Sequence, residues 1–168
     1  MEFRLAVLTD LPQLKTVYKS IIQDMNKRKL EIWDEIYPCD VFEEDIGKNQ
    51  LYVLLDNDKI ISAFALTDTN TGASSVEWEN PSSRAFYLDR LGVNIKYSGK
   101  GIGSYILNKA KEVSKSLGAE YLRLFVVDIN EPAIRLYAKS GFKKAGGTYE
   151  EKFDDGFVLH EFGYEIRT

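Results

Sequence analysis

Past the middle of this 168-residue chain, Ser98-Gly99-Lys100-Gly101-Ile102-Gly103-Ser104 places three glycines at alternate positions. The segment before it, Ala85–Val93, alternates like a strand: Phe86, Leu88 and Arg90 fall on one face, Tyr87, Asp89, Leu91 and Val93 on the other. The segment after it repeats at helical spacing, with Ile102, Ile106, Ala110, Val113 and Leu117 on a stripe that stops at Gly118. Where a strand turns into a helix through glycines, a ligand can approach the backbone closely. The helix start adds unpaired N–H groups and the positive end of a dipole, and together these suit a pyrophosphate. The same residues also suit a plain tight turn, so the glycines alone leave both readings open.

The flanking pattern extends the junction into an α/β fold. Glu2–Leu8 reads as a short strand, and Thr9-Asp10 with Pro12 start a helix. Leu11, Leu14, Val17, Tyr18, Ile21, Ile22 and Met25 carry that helix to about Lys27. Residues 28–39 have no clean period and read as irregular or short-helical. Asp40 and Glu43 form a capping-box pair for a short helix to about Lys48, and Asp40, Glu43, Glu44 and Asp45 read as its solvated, acidic start. Leu51–Leu55 and Lys59–Leu66 flank a polar hairpin turn at Asp56-Asn57-Asp58, while Asp68–Arg84 is expected to be a mobile loop. Tyr121–Val127 is a nearly continuous apolar strand of the kind buried on both faces. Asn130 caps a further helix that Gly141 ends, and two strands, about Phe142–Tyr149 and Phe157–Ile166, close the chain. The order βααβββαβαββ predicts a single domain over 1–168, with a mixed, mostly antiparallel sheet and helices on both faces. No linker or repeat divides it.

Composition removes whole classes of chemistry. A single cysteine, Cys39, excludes an intramolecular disulfide and a multi-cysteine zinc site. A single histidine, His160, excludes a multi-histidine metal site, so no metal is expected; any nucleophile–histidine pair would have to use His160. His160 shares a strand face with Val158, Phe162 and Tyr164 and reads as a satisfied, partly buried side chain. With 22 Lys and Arg against 26 Asp and Glu, the net charge of −4 argues against a grip on nucleic acid. No apolar run approaches the roughly 18 residues of a membrane span, and the N-terminus does not read as a signal peptide. The expectation is a soluble, cytoplasmic protein acting on something small.

Nucleotide motifs fit the glycine turn poorly. The chain has no Gly-Lys-Ser/Thr, and a dinucleotide fingerprint starting at Gly101 would need glycine where Ile106 stands. Instead, Leu91-Gly92-Val93 followed by Ser98-Gly99-Lys100-Gly101-Ile102-Gly103 resembles the acetyl-CoA-binding motif of GNAT-type N-acetyltransferases. Downstream, Asn130-x-x-Ala133-x-x-Leu136-Tyr137-x-x-x-Gly141-Phe142 resembles that family's next signature. The element order agrees over almost the entire chain.

The resemblance implies a direct transfer of acetyl from acetyl-CoA to an amine. Backbone groups of Leu91 and Val93 would pair with the pantetheine arm, and the amide near Val93 would polarise the thioester carbonyl. Amides of Gly99, Lys100, Gly101, Ile102, Gly103 and Ser104 would hold the pyrophosphate. Ser98 replaces the family's usual Gln or Arg, which leaves Lys96 and Lys100 as side chains for that role. Asn130 would touch the pantetheine region, and Tyr137 would protonate the departing thiolate. Tyr137 equally suits a core position beside Ile134 and Ala138. The family often places a carboxylate four residues before the first position of the Leu91 segment, where this chain has Tyr87. Asp89 is then the first choice for general base, with Glu77 or Glu79 behind it and water-mediated deprotonation as the alternative. Trp33 and Tyr37 would form a wall of the acceptor site, or else ordinary core. The acceptor implied is the primary amine of a small molecule; a peptide N-terminus or lysine is the alternative, as is a non-catalytic acyl-CoA sensor. A homodimer is a further expectation.

Overall fold

The hairpin forms where the sequence places it. In the computed structural model, which describes residues 1–168, Leu51–Asp56 (β2) and Lys59–Thr67 (β3) pair antiparallel around Asn57-Asp58. Both turn residues have positive φ, 46° and 61°. Asn and Asp tolerate that region, and such a turn matches the twist of the strands it joins. Chain contacts gather into two compact units: Met1–Leu66 with Arg90–Ile106, and Thr67–Asp89 with Leu107–Thr168. The strand Ala85–Val93 (β5) and the helix Ile102–Ser116 (α3) each contribute residues to both.

In the first unit, Glu2–Leu5 (β1) pairs antiparallel with β2 in the register Phe3 to Leu54. The strand is shorter than the alternation suggests, because Leu8–Asp10 form a 3-10 turn. Asp10 closes that turn: its carboxylate accepts the Val7 N–H at 2.8 Å and pairs with Arg4 at 2.7 Å. The Arg4 guanidinium holds the Asp10 carboxyl below the usual range. The helix Leu11–Lys27 (α1) follows as its period predicts, burying Leu14, Val17, Tyr18, Ile21 and Met25 against Val53, Leu55, Ile60 and Ala63 of β2 and β3. The acidic helix is Phe42–Gly47 (α2). Asp40 does not cap it: a 3-10 turn, Cys39–Val41, precedes it, and Val41 takes the capping position without a side-chain bond. Nor is its acidic face wholly solvated. Asp45 is buried and receives two bonds from Arg90, Nε and Nη2 each at 2.9 Å from a carboxylate oxygen.

Gly92 sets how α1 meets β5. A Cβ there would stand 2.7 Å from Tyr18 Cζ and 2.8 Å from its hydroxyl oxygen. The fully buried Tyr18 hydroxyl is aimed at two carbonyl oxygens, of Arg90 at 2.5 Å and of Ala63 at 3.2 Å. Arg90 itself has φ of +56°. A left-handed residue interrupts the pleat, so the period-two argument that puts Asp89 on one face with Leu91 and Val93 does not carry across it.

In the second unit, β5 pairs in parallel with Tyr121–Val127 (β6), from Ala85 opposite Tyr121 to Leu88 opposite Leu124. The long last strand, Val158–Arg167 (β10), runs antiparallel to β6. The single closing strand expected near residues 142–149 is instead three short pieces. Of these, Lys143–Lys144 (β7) and Tyr149–Lys152 (β9) pair with β10, while Gly146–Gly147 (β8) pairs with Val76–Glu77 (β4). The helix Glu131–Lys139 (α4) starts at Asn130 as predicted, with Pro132 in its first turn. The α/β class and the mostly antiparallel pairing thus stand as read.

The 68–84 segment is tied down rather than loose. Trp78 is buried, and its Nε1 donates to the Ala73 carbonyl at 2.8 Å. The Glu79 N–H donates to Glu165 Oε1 at 2.7 Å, and Arg123 Nη2 donates to the Asn80 carbonyl at 2.7 Å. Arg123 is 2% exposed, paired with Glu165 at 3.2 Å, with its guanidinium over the Trp78 ring at 4.7 Å. A buried guanidinium needs such partners, and the polar residues of the segment supply them.

The Gly92–Tyr18 contact predicts that Gly92→Ala destabilises the protein by about 1–3 kcal/mol, because the added carbon must displace a fully buried ring. Urea unfolding measures this; a change under about 0.5 kcal/mol would mean that the ring can yield.

Candidate active site

The first unit carries the glycine turn. A 3-10 turn, Ile95–Tyr97, leads into it, held by Asn94, whose side chain accepts the Lys96 N–H at 3.1 Å and donates to the Ile60 carbonyl at 3.2 Å. Ser98 is exposed and closes that turn through its N–H. Gly99 and Gly101 have φ of +73° and +79°, a conformation in which a side chain is strained. A Cβ at either would meet nothing within 4 Å, so the space beside this backbone is open. Ile102 is buried at the head of α3, while Gly103 and Ser104 lie half-exposed in the first turn, where helix N–H groups lack intrahelical partners. The Lys100 ammonium sits 5.1 Å from the Tyr97 ring centroid, close to the turn it follows. Leu91 and Val93 are half-buried near the end of β5, on either side of Gly92, whose carbonyl accepts the Ser62 hydroxyl at 2.7 Å.

Trp33 and Tyr37, read as a substrate wall or else core, differ in burial. Trp33 packs on the core with its ring 5.6 Å from that of Tyr18. Tyr37 is 40% exposed, and its hydroxyl lies 3.4 Å from Arg90 Nη1. Cys39 is half-buried, and burial pushes its thiol up, away from nucleophilic character.

The second unit carries Tyr137 and a group of carboxylates. Tyr137 is buried on α4 with its ring 5.9 Å from Phe142 and 6.3 Å from Tyr164, so the core reading describes its packing. Its hydroxyl, however, has no hydrogen-bond partner within the protein. Burial and then the charge of Asp89 push the phenol up, so it keeps its proton. Asp89 is half-buried, with the Thr67 hydroxyl 3.4 Å from its Oδ2. Asn130 is placed as a cap: its Oδ1 accepts the Ala133 N–H at 3.4 Å.

Sequence reasoning missed two members of this group, Glu151 and Glu161. In the β9–β10 register Glu151 faces Leu159 and Glu161 faces Tyr149, so the two glutamates are diagonal neighbours on one face of the sheet. Neither has an ion-pair or hydrogen-bond partner. Burial, then Glu151, then Asp89 push the Glu161 carboxyl up to about 7; burial and Asp89 also raise Glu151. A carboxyl titrating there can take a proton from an ammonium near neutral pH, as a general base must. The sequence shows Glu161 only as an acid between His160 and Phe162 in the last strand, and period alone gives it no partner. Glu77 and Glu79, the runners-up for base, are exposed, one in β4 and one just after it. His160 is exposed, not partly buried, with Nδ1 3.8 Å from Glu150. Its cross-strand neighbour is the exposed Glu150 of the four-residue β9, a polar side chain that leaves the imidazole in water.

Because the folded Glu161 carboxyl titrates near 7 and an ordinary one near 4.5, folding stability is full below about 4.5 and falls as pH rises through about 7. Glu161→Gln should remove that fall, so the variant gains on the wild type at pH 8 relative to pH 5. Urea midpoints at the two pH values measure it, and an equal difference at both would show that Glu161 is not held in its acid form.

Comparison with known proteins follows the same lines. The family model described as "Acetyltransferase (GNAT) family" matches residues 16–142. YwnH of Bacillus subtilis (strain 168), provisionally named a phosphinothricin acetyltransferase, is 28% identical over 149 residues, covering 87% of this chain and 86% of that protein. A GNAT-family acetyltransferase structure from Streptococcus agalactiae 2603 superposes with a TM-score of 0.80 at 15% identity, covering 99% of this chain and 95% of that one. The structure of yncA from Salmonella typhimurium, provisionally an acetyltransferase and described with its cofactor acetyl-CoA, has a TM-score of 0.65 at 15% identity, covering 99% and 92%.

Proposed function

This chain belongs to the GNAT acetyltransferase family, and from that premise we propose that it moves the acetyl group of acetyl-CoA to a primary amine by direct attack. It is an acyltransferase of the N-acetyl type. We read residues 1–168 as one acetyltransferase domain, since the family match at 16–142 draws on both compact units.

The residues present fit acetyl-CoA on a feature of this structure: the backbone beside Gly99 and Gly101 is open, and a side chain at either would fill it. Amides from Gly99 to Ser104 would hold the pyrophosphate, and backbone groups of Leu91 and Val93 the pantetheine arm. Bound there, acetyl-CoA supplies a thioester carbonyl that is already activated, so the protein needs no nucleophile of its own. Lys100 adds positive charge to the turn where Ser98 offers only a hydroxyl. The Val93 amide donates to the carbonyl oxygen, and Tyr137 donates its phenol proton toward the departing sulfur.

Glu161 carries the acceptor half of the reading. A primary amine arrives as an ammonium, and the half-buried carboxylates Glu151 and Glu161, beside Asp89, attract that charge. Glu161 takes one proton, and the free amine attacks the carbonyl carbon. The C–S bond breaks as the thiol leaves with the proton from Tyr137, and the second N–H proton lost by the new amide nitrogen restores the tyrosine. Asp89 then acts mainly through its charge. The acceptor is a small cationic amine on this reading; a lysine or peptide N-terminus presents the same ammonium.

Tyr137→Phe tests the assignment. The loss of turnover should be at least about 100-fold, the usual scale for a general acid, while acetyl-CoA affinity stays within about threefold. Steady-state kinetics alongside calorimetric titration read the two separately, and undiminished turnover would remove Tyr137 from the chemistry.

A further inference from the structure

Arg90 occupies a backbone conformation that its residue type disfavours. Its φ of +56° lies in the left-handed region, inside a strand, where only glycine is unstrained. Such a residue persists when its surroundings over-determine it, and here three contacts do. The Tyr18 hydroxyl lies 2.5 Å from the Arg90 carbonyl oxygen. The guanidinium makes a two-pronged bond to Asp45, with side chains 11% and 8% exposed. The Tyr37 hydroxyl lies 3.4 Å from Nη1. Glycine would adopt the turn without any of this, so the side chain at 90 is retained for what it fixes.

We propose that the Arg90–Asp45 pair is a positioning device: it holds the left-handed turn of β5 and thereby sets the direction in which the backbone groups of Leu91 and Val93 face acetyl-CoA. The inference rests on the acetyl-CoA reading above and adds to it two residues that touch neither substrate. The φ and ψ of Arg90 set the direction of the peptide group that follows it, so a relaxed Arg90 would re-aim the start of the Leu91–Val93 segment. The pair also explains why Asp45 is buried in a helix whose other acids face water.

Two double variants separate this role from general stabilisation. Asp45→Asn with Arg90→Ala, and Asp45→Asn with Arg90→Gly, both lack the ion pair and the buried charge. They differ in whether residue 90 tolerates the left-handed turn. Calorimetric titration with acetyl-CoA should find the alanine variant about tenfold weaker than wild type, because only a fraction of molecules hold the competent backbone. The glycine variant should bind within about threefold of wild type. A purely stabilising role predicts equal acetyl-CoA affinities in the two folded variants, whatever the difference in their unfolding midpoints. Equal affinities in the two variants would overturn the proposal. Should both unfold, Arg90→Lys keeps the charge but not the two-pronged geometry, and is expected to bind about tenfold more weakly; wild-type affinity there would equally overturn it. If the wild type itself fails to bind acetyl-CoA, the functional reading falls first, an outcome distinct from wild-type binding with indifferent variants.

Discussion

The fully buried hydroxyl of Tyr18 is aimed at the carbonyl oxygens of Arg90 and Ala63, over a glycine that leaves its ring room. That contact joins α1 to two strands at once, and the first unit is organised around it. Phe42 stands edge-on to the same ring at 4.7 Å, and Trp33 packs at 5.6 Å, so the irregular segment and α2 are anchored to one aromatic side chain. A phenol buried this deeply must place its proton, since leaving it unpaired is costly. Its placement on the Arg90 carbonyl constrains the turn in β5, and β5 leads directly into the glycine segment.

The second unit is held by a different polar element and keeps another one in tension. Arg123 is satisfied on every side by Glu165, the Asn80 carbonyl and the Trp78 ring, and it secures the segment that crosses over it. Glu151 and Glu161, whose neighbours include Asp89, are half-buried without such a cation. Like charges with reduced access to water raise one another's pKa, which destabilises the fold at high pH and leaves a proton acceptor poised near neutrality. The contrast separates structural from chemical use of charge within one small sheet.

Much of this was legible in the residues. The glycine turn, the Asn57-Asp58 hairpin, the periods of α1 and α3 and the Asn130 cap are local signals, each decided by residues within a few positions. The arrangement of Asp89, Glu151 and Glu161 was not, because it depends on strand pairing: Glu151 and Glu161 become neighbours only once β9 has paired with β10, and Asp89 comes from a third strand, β5. The turn at Arg90 was invisible for a related reason. No glycine or asparagine marks it, and the partner that stabilises it, Asp45, lies 45 positions earlier on a helix whose acids look solvated. The polar 68–84 segment misled because its hydrogen-bonding capacity, the mark of a loop, was used on a buried arginine. Asp10 stands at the N-cap of α1 as read, but its carboxylate is used on the Val7 N–H and Arg4, while Asp40 is displaced by a turn that starts before it.

A thiol-release assay with acetyl-CoA and a panel of amines tests the central claim most directly. The account predicts CoA release that requires a primary amine and is faster with amines bearing a second cationic group than with neutral ones of equal size. Tight binding of acetyl-CoA with no release across the panel would contradict it.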